Sequence, residues 1–338
     1  MQLSGSSSEM VAYAPACGEL PKAAQLLEEA FVRDVFSWSA LILGYVQIGK
    51  AHEALICFER MQREGISPNA VTYTSILKAC GSIGDIDKGK EIHREVRSNR
   101  LIEKDILLAT ALVDMYVKCG MLTEAQQMLE SLPIRDIVSW NALIVGYAQL
   151  GLGYKVWSCF QYIQNEGLSP NVVTYVCILK LCGLVRDIHK GIEVHDSIGR
   201  KWLVERNLII GNALIDMYAK CGSLAKAKEV FNILRVRDIS SWNALISGYA
   251  DLEQFDEALL YFKEMQLAGV LPDVVTYVSI LKACGSTQDE LMGIQIHAEV
   301  SRRGLESMNL VLGSTLVDMY VKLGCLLKAR EVFNMLPI

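Results

Sequence analysis

Catalytic signatures are missing from this chain. It has five histidines and seven prolines in 338 residues, and none of its ten cysteines forms a C-x-x-C pair. H-E-x-x-H, a Walker loop and G-x-S-x-G are absent too, which removes the usual marks of zinc proteases, nucleotide hydrolases and serine hydrolases. No N-x-S/T sequon occurs. With unpaired cysteines, this suggests reduced, buried small side chains in an intracellular protein. A surplus of positive charge is lacking as well: 33 Lys+Arg against 38 Asp+Glu give a net −5. That excludes a basic polyelectrolyte held to nucleic acid mainly by counterion release, but not a binder that reads bases singly. The longest uncharged run, Ile137–Tyr154, contains Asn141, Gln149 and three glycines, and suits a helix boundary rather than a membrane span. The first arginine is Arg33, so no Arg-rich transit segment or apolar signal core is visible. The expectation is that a targeting segment has been lost or that the chain is a fragment, and its stop in mid-pattern at Leu336-Pro337-Ile338 agrees.

What the chain does have is a strict interval of 102 residues. Trp38, Trp140 and Trp242 obey it, as do Cys80, Cys182 and Cys284, and His93, His195 and His297. Asp114-Met115-Tyr116 returns at 216–218 and 318–320, and Pro68-Asn69 returns as Pro170-Asn171 and Pro272-Asp273. Spacing without indels marks a repeat array, so a lone Trp, Cys or His here is architecture by default. Within one interval the apolar period of a helix appears six times. Phe36–Ile48 and Ala51–Glu64 flank Gly49-Lys50, and Gly65 and Pro68 end the pair. A second pair runs from Ala70, breaks around Gly81–Gly84 and resumes at Asp85–Arg100. The third is Leu107–Cys119 and Thr123–Leu132, broken at Gly120. The block is therefore three helical hairpins, and the fold class is all-α, an α-solenoid with units of 35, 36 and 31 residues.

This alternation resembles the plant pentatricopeptide repeat proteins that cycle P, L and S units. The residues that carry the resemblance are Val138-Ser139-Trp140-Asn141-Ala142-Leu143-Ile144 with Gly146-Tyr147, then Pro272-Asp273-Val274-Val275-Thr276-Tyr277, and Asn212–Gly222. The register it implies is S 4–34 (degenerate), P 35–69, L 70–105, S 106–136, P 137–171, L 172–207, S 208–238, P 239–273, L 274–309 and S 310–338 (incomplete). A tetratricopeptide-like protein-binding scaffold is the alternative. It keeps a 34-residue period with Gly directly after the Leu of W-x-x-L, whereas here Gly146 lies three residues after Leu143.

One face of the first helix in the third hairpin of each block carries a stripe. Leu107 and Lys118 are three turns apart, and Thr110 falls within ~60° of Leu107 at 100° per residue. The triplet recurs as Ile209, Asn212 and Lys220, and as Val311, Ser314 and Lys322. An aliphatic residue, a small polar one and a cation suit a base ring, its edge and a phosphate. The resemblance implies one RNA base per repeat, selected by the polar residue with the unit's last residue. The P units then offer Ser39 with Asn69 for A, Asn141 with Asn171 for C or U, and Asn243 with Asp273 for U. The S units offer Thr110 with Asp136 for G and Asn212 with Asp238 for U. The L pairs, Thr74 with Asp105, Val176 with Asn207 and Val278 with Asn309, carry no base assignment, because two of the three put Val, which cannot hydrogen-bond a base edge, at the reading position. In chain order the implied target is 5′-A-x-G-Y-x-U-U-x-3′. Phe36, Leu107, Val138 and Ile209 would pack on bases, and Lys118, Lys220 and Lys322 would meet phosphates. For the asparagines the competing duty is capping or solvating a helix start.

The resemblance also implies single-stranded organellar RNA as partner, mitochondrial or chloroplast localisation, and a part in transcript processing, chiefly C-to-U editing-site recognition. Editing accessory proteins or a deaminase in trans are the further partners it allows; DNA, a membrane, a metal and a cofactor are not expected. His93-Arg94-Glu95 and His297-Ala298-Glu299 match half of the zinc deaminase signature. The third copy, however, reads His195-Asp196-Ser197, and no C-x-x-C follows. These are packing histidines, and no enzyme is expected within the chain.

Overall fold

The structure, a computed structural model, describes residues 34–103, 105–199, 204, 207–305 and 309–336. These residues form α-helices joined by turns, with no strand among them. The S unit expected at 4–34 lies outside the described residues apart from Asp34. The chain forms two compact units, Met1–Thr174 and Tyr175–Ile338.

The first unit holds α1 (Val35–Gln47), α2 (Ala51–Arg63), α3 (Ala70–Ile83), α4 (Ile86–Ser98), α5 (Ile106–Lys118), α6 (Leu122–Ser131), α7 (Ile137–Gln149) and α8 (Gly153–Asn165). Here α1, α3, α5 and α7 pack in succession, and each even-numbered helix packs on its own hairpin partner. Also, α2, α4 and α6 touch the first helix of the following hairpin. Helix α9 (Val172–Val185) spans the division between the units. The second unit continues with α10 (Ile188–Gly199), α11 (Leu208–Lys220), α12 (Leu224–Ile233), α13 (Ile239–Asp251), α14 (Phe255–Leu267), α15 (Val274–Thr287), α16 (Glu290–Arg302), α17 (Leu310–Lys322) and α18 (Leu326–Met335). In it α11, α13, α15 and α17 make the same row of first helices. Each unit thus has a layer of first helices backed by a layer of second helices, with one side of the first layer left open.

Local chemistry explains the hairpins. Most first helices start at an Asp or Asn whose side chain accepts a first-turn N–H, as Asp136 does from Ser139 at 2.8 Å, because those N–H groups have no partner within the helix. Gly120 closes the α5–α6 turn at φ 76°, a conformation that costs other residues a Cβ clash. Gly81 is different. The break expected around Gly81–Gly84 falls only at Gly84, and α3 runs through Gly81 to Ile83. A Cβ on Gly81 would lie 3.3 Å from the Met115 Cα and 3.2 Å from the Lys118 side chain. Gly183 and Gly285 meet Met217 and Met319 with Lys220 and Lys322 in the same way. These glycines let neighbouring first helices approach closely; they do not end a helix.

The tryptophans are core. Trp38, Trp140 and Trp242 are buried; Trp140 stacks on Tyr162 at 5.5 Å and donates its Nε1–H to Glu166 at 2.9 Å. Trp242 meets Phe231 edge-on at 4.7 Å. Cys80, Cys159, Cys182 and Cys284 are buried, while Cys57, Cys119, Cys177, Cys221 and Cys325 are half-buried, and all are free thiols. Trp140→Ala should lower stability by about 3–5 kcal/mol through the cavity it leaves. Urea denaturation followed by circular dichroism will show this as a lower midpoint; an unchanged midpoint would remove Trp140 from the core account.

Candidate nucleic-acid interface

The second residue of each first helix points outward and is apolar in all but one case. In the first unit Phe36 is 67% exposed, Leu107 69% and Val138 55%, and Val71 and Val173 are exposed beside them. In the second unit Ile209 is 62% exposed and Val275 and Val311 are exposed too; α13 places Ser240 there. Val71, Val173 and Val275 were not singled out from sequence, although their position, one residue into a first helix, marks them. One turn further on, at i+3 from each, stand Ser39, Thr74, Thr110, Asn141, Val176, Asn212, Asn243, Val278 and Ser314.

The structure brings three of the paired residues into direct contact. Asn141 donates Nδ2–H to Asn171 Oδ1 at 2.9 Å, Asn243 to Asp273 Oδ1 at 2.9 Å, and Asn212 to Asp238 Oδ1 at 3.0 Å. Ser39 reaches Asn69 Oδ1 only at 3.4 Å and gives its shorter bond to the Val35 carbonyl at 2.6 Å. Thr110 donates to the Ile106 carbonyl at 2.8 Å and connects to Asp136 through the Ser139 hydroxyl, which lies 3.1 Å from Thr110 and donates to Asp136. No hydrogen bond joins Thr74 to Asp105, Val176 to Asn207 or Val278 to Asn309 among the described residues. The asparagines of the first helices are not caps, since each sits at the fifth helical position. The caps are their partners: Asn171, Asp238 and Asp273 each accept the third N–H of the following helix, as Asn69 and Asp136 do beside Ser39 and Thr110.

Backbone geometry separates the two kinds of junction. Asn69, Asp136, Asp238 and Asp273 have ψ of 178°, 168°, 177° and −173°. Asp105, Asn207 and Asn309 have ψ of 103°, 96° and 104°. In the second group the cap oxygen is taken up by the following helix: Asp105 accepts from Leu107 and Leu108, and Asn207 from Ile209 and Ile210. The L pairs therefore stay apart for two reasons, an apolar or unlinked first-helix residue and a cap turned a different way.

Three of the cations on this face are neutralised by carboxylates of their own helices, whereas Lys78, Lys180 and Lys282 are exposed there. Lys118, Lys220 and Lys322 are exposed but bridge Asp114, Asp216 and Asp318 at 2.8, 2.7 and 2.8 Å, and their stems lie over Gly81, Gly183 and Gly285. Burial alone would raise Asp238, but hydrogen bonds from the Ser241 N–H and hydroxyl and from Asn212 outweigh it and hold the carboxyl below its ordinary value. Asp238 is therefore an anion that can only accept.

The histidines and cysteines that follow the 102-residue interval are packed against their neighbours. His93, His195 and His297 each pair Nδ1 with a tyrosine hydroxyl, of Tyr116, Tyr218 and Tyr320, at 2.7, 2.7 and 2.8 Å. Burial, aided by Arg97 at His93, pushes the His93 and His195 pKa values down. Burial pushes the Cys80 and Cys284 thiols up to about 12 and Cys182 up to about 11, so they are thiols, not thiolates, at neutral pH. No cluster of three or more potential metal ligands occurs among the described residues, and no described helix is long and apolar enough to cross a membrane.

Comparison with known proteins bears on the family and the fold. A model of the PPR repeat family matches residues 33–82, 135–183 and 237–286, and a PPR repeat model matches 71–101, 109–137, 212–239 and 314–337. A chloroplastic pentatricopeptide repeat-containing protein of Arabidopsis thaliana is 35% identical over 98% of this chain and 53% of its own length. A mitochondrial one from the same plant is 35% identical over 95% of this chain and 31% of its own length. The chain thus spans about half or less of these relatives. The fold is similar to the pentatricopeptide repeat protein PPR10 bound to an 18-nt psaJ RNA element, with TM-score 0.80, 20% identity, and coverage of 98% of this chain and 50% of that one. Yeast Rmd9p with a 16-nt target RNA is similar at TM-score 0.53 and 12% identity, over 97% of this chain and 86% of that one.

The depressed His93 and His195 values set a pH dependence. Unfolding frees both to take up protons that the folded chain refuses, so stability is level above the ordinary histidine pKa of about 6.5 and declines as pH falls below it. The urea midpoint should drop between about pH 7 and pH 5.5, and the double variant His93→Gln, His195→Gln should flatten that drop. An equal drop in the variant would assign it to other groups.

Proposed function

This chain belongs to the pentatricopeptide repeat family, and on that premise we propose that it binds single-stranded RNA, reading about one base per repeat. The observation that carries the proposal is the recurrent pairing on the open side of the first helices. Asn141 with Asn171, Asn212 with Asp238 and Asn243 with Asp273 are each joined by a hydrogen bond. An exposed aliphatic side chain stands one turn away from Asn141 and Asn212, at Val138 and Ile209. A base edge would meet the amide while the base ring lies on the aliphatic surface. Because each partner is also a helix cap, its acceptor is held before RNA arrives, which lowers the ordering cost of binding.

In this reading the repeats follow the P, L and S register given above, and the P and S units select bases. L units hold spacing, since their pairs are unlinked. The target is 5′-A-x-G-Y-x-U-U-x-3′. Lys118, Lys220 and Lys322 would exchange a carboxylate for a phosphate on binding, so each contributes little net attraction. A shallow salt slope follows, worth roughly two to four phosphate contacts. The names of the relatives, chloroplastic and mitochondrial, support an organellar setting, and we propose editing-site recognition as the process served, with any deaminase acting from outside these residues. A protein-binding scaffold would instead show no RNA binding at low ionic strength.

Thr110→Asn tests the reading directly. A selection from randomised RNA should show the base assigned to the 106–136 unit move from G towards U; unchanged selectivity would overturn the assignment.

A further inference from the structure

A third side chain touches both members of every linked pair. Thr174, the third residue of α9 and fully buried, donates Oγ1–H to Asn141 Oδ1 at 2.6 Å. The same oxygen accepts the Asn171 backbone N–H at 3.2 Å, and the Thr174 backbone N–H donates to Asn171 Oδ1 at 3.2 Å. With Asn141 Nδ2 donating to Asn171, the ring of hydrogen bonds closes. Thr276 does the same for Asn243 and Asp273, at 2.5 Å to Asn243 Oδ1. Ser241 does it for Asn212 and Asp238, at 2.7 Å to Asn212 Oδ1. Thr72 lies 2.7 Å from Ser39, and Ser139 lies 3.1 Å from Thr110. Where the pair is unlinked, the third residue is Leu108, Ile210 or Leu312, and no hydroxyl is present.

The ring has a direction. A hydroxyl has one proton; of its two acceptors, Asn141 Oδ1 at 2.6 Å is much closer to Thr174 Oγ1 than Asn171 Oδ1 at 3.2 Å, so the proton goes to the Asn141 oxygen. That turns the Asn141 oxygen towards Thr174 and its nitrogen towards Asn171. The base then meets an amide whose remaining lone pair and remaining N–H stand in a fixed order. Bases differ in the order of donors and acceptors along their edges, so a fixed order is a condition for telling them apart. Without the hydroxyl, Asn141 is held by the Asn171 bond alone. Asn243 and Asn212 are better protected, because Asp273 and Asp238 can only accept and so hold the amide nitrogen by themselves.

We propose that the hydroxyl at the third position of the following first helix, Thr174 above all, is a specificity-determining positioning residue, setting the donor and acceptor order of the base-reading amide. The inference rests on the base-reading function proposed above. It is tested with the 338-residue chain and four RNA oligonucleotides of the proposed target that differ only at the base assigned to 137–171. For the wild type, purine Kd should exceed pyrimidine Kd. In Thr174→Val that ratio should fall roughly 2- to 10-fold, the worth of one net hydrogen bond, and Thr174→Ser should keep it. Thr276→Val should lose less at its own base. Thermal unfolding checks that the variants fold, and Thr174→Ala replaces Thr174→Val if the latter does not. A Thr174→Val or Thr174→Ala protein that folds and keeps the full ratio overturns the inference. Asn171→Asp separates the two levels. If it shifts preference towards U while the hydroxyl-free variant keeps its selectivity, only the positioning role fails; if it shifts nothing, the base-reading function fails first.

Discussion

The first-turn N–H groups of each first helix must be satisfied, and the structure satisfies them with the last side chain of the preceding unit. This capping requirement fixes an Asn or Asp at a set place beside the previous first helix, independent of any ligand. Asn171 accepts from Thr174 and from Asn141 with one oxygen; Asp273 does the same for Thr276 and Asn243. A bond that holds the fold thus also presents the groups proposed to select a base. Varying such a residue between Asn and Asp leaves the cap intact, since both cap well, while changing which hydrogen bonds a base is offered.

Two junction geometries follow from that constraint. Where the third residue of the next helix is Ser or Thr, the cap has ψ near 180°, and at Asn69, Asp238 and Asp273 its oxygen is shared with the preceding hairpin. Where that residue is Leu or Ile, as at Leu108, Ile210 and Leu312, ψ is near 100° and the cap oxygen serves its own helix. The difference between units that present a linked polar pair and units that do not is therefore written into the backbone as well as into the side chain at the reading position.

Much of this was legible from the 102-residue interval. Helix spans came within a residue or two, because apolar period and Gly or Pro punctuation agree, and the tryptophans read as core. Gly81 did not: a glycine before a turn looks like a helix stop, and only the 3.3 Å approach of the Met115 Cα shows why it lies inside α3. The histidines read correctly as packing residues, but their tyrosine partners lie 23 residues away and have no local signal. The pairing of Lys118 with Asp114 was visible as an i,i+4 spacing and weakens the lysine as a free cation. The ring hydroxyl also left a trace in sequence, Ser or Thr at 37, 72, 139, 174, 241 and 276. Its meaning needed the hydrogen-bond direction, which spacing does not contain.

The central claim is that specificity resides in pairs linked directly or through the ring hydroxyl and is absent where neither link exists. The most direct measurement is the per-position sequence information in RNA selected by the wild-type chain from a random pool. The account requires selected bases at the five positions facing the P and S pairs, in the order A, G, pyrimidine, U, U, and near-random bases at the three positions facing Thr74, Val176 and Val278. Equal information at all eight positions, or no enriched sequence at all, would contradict it.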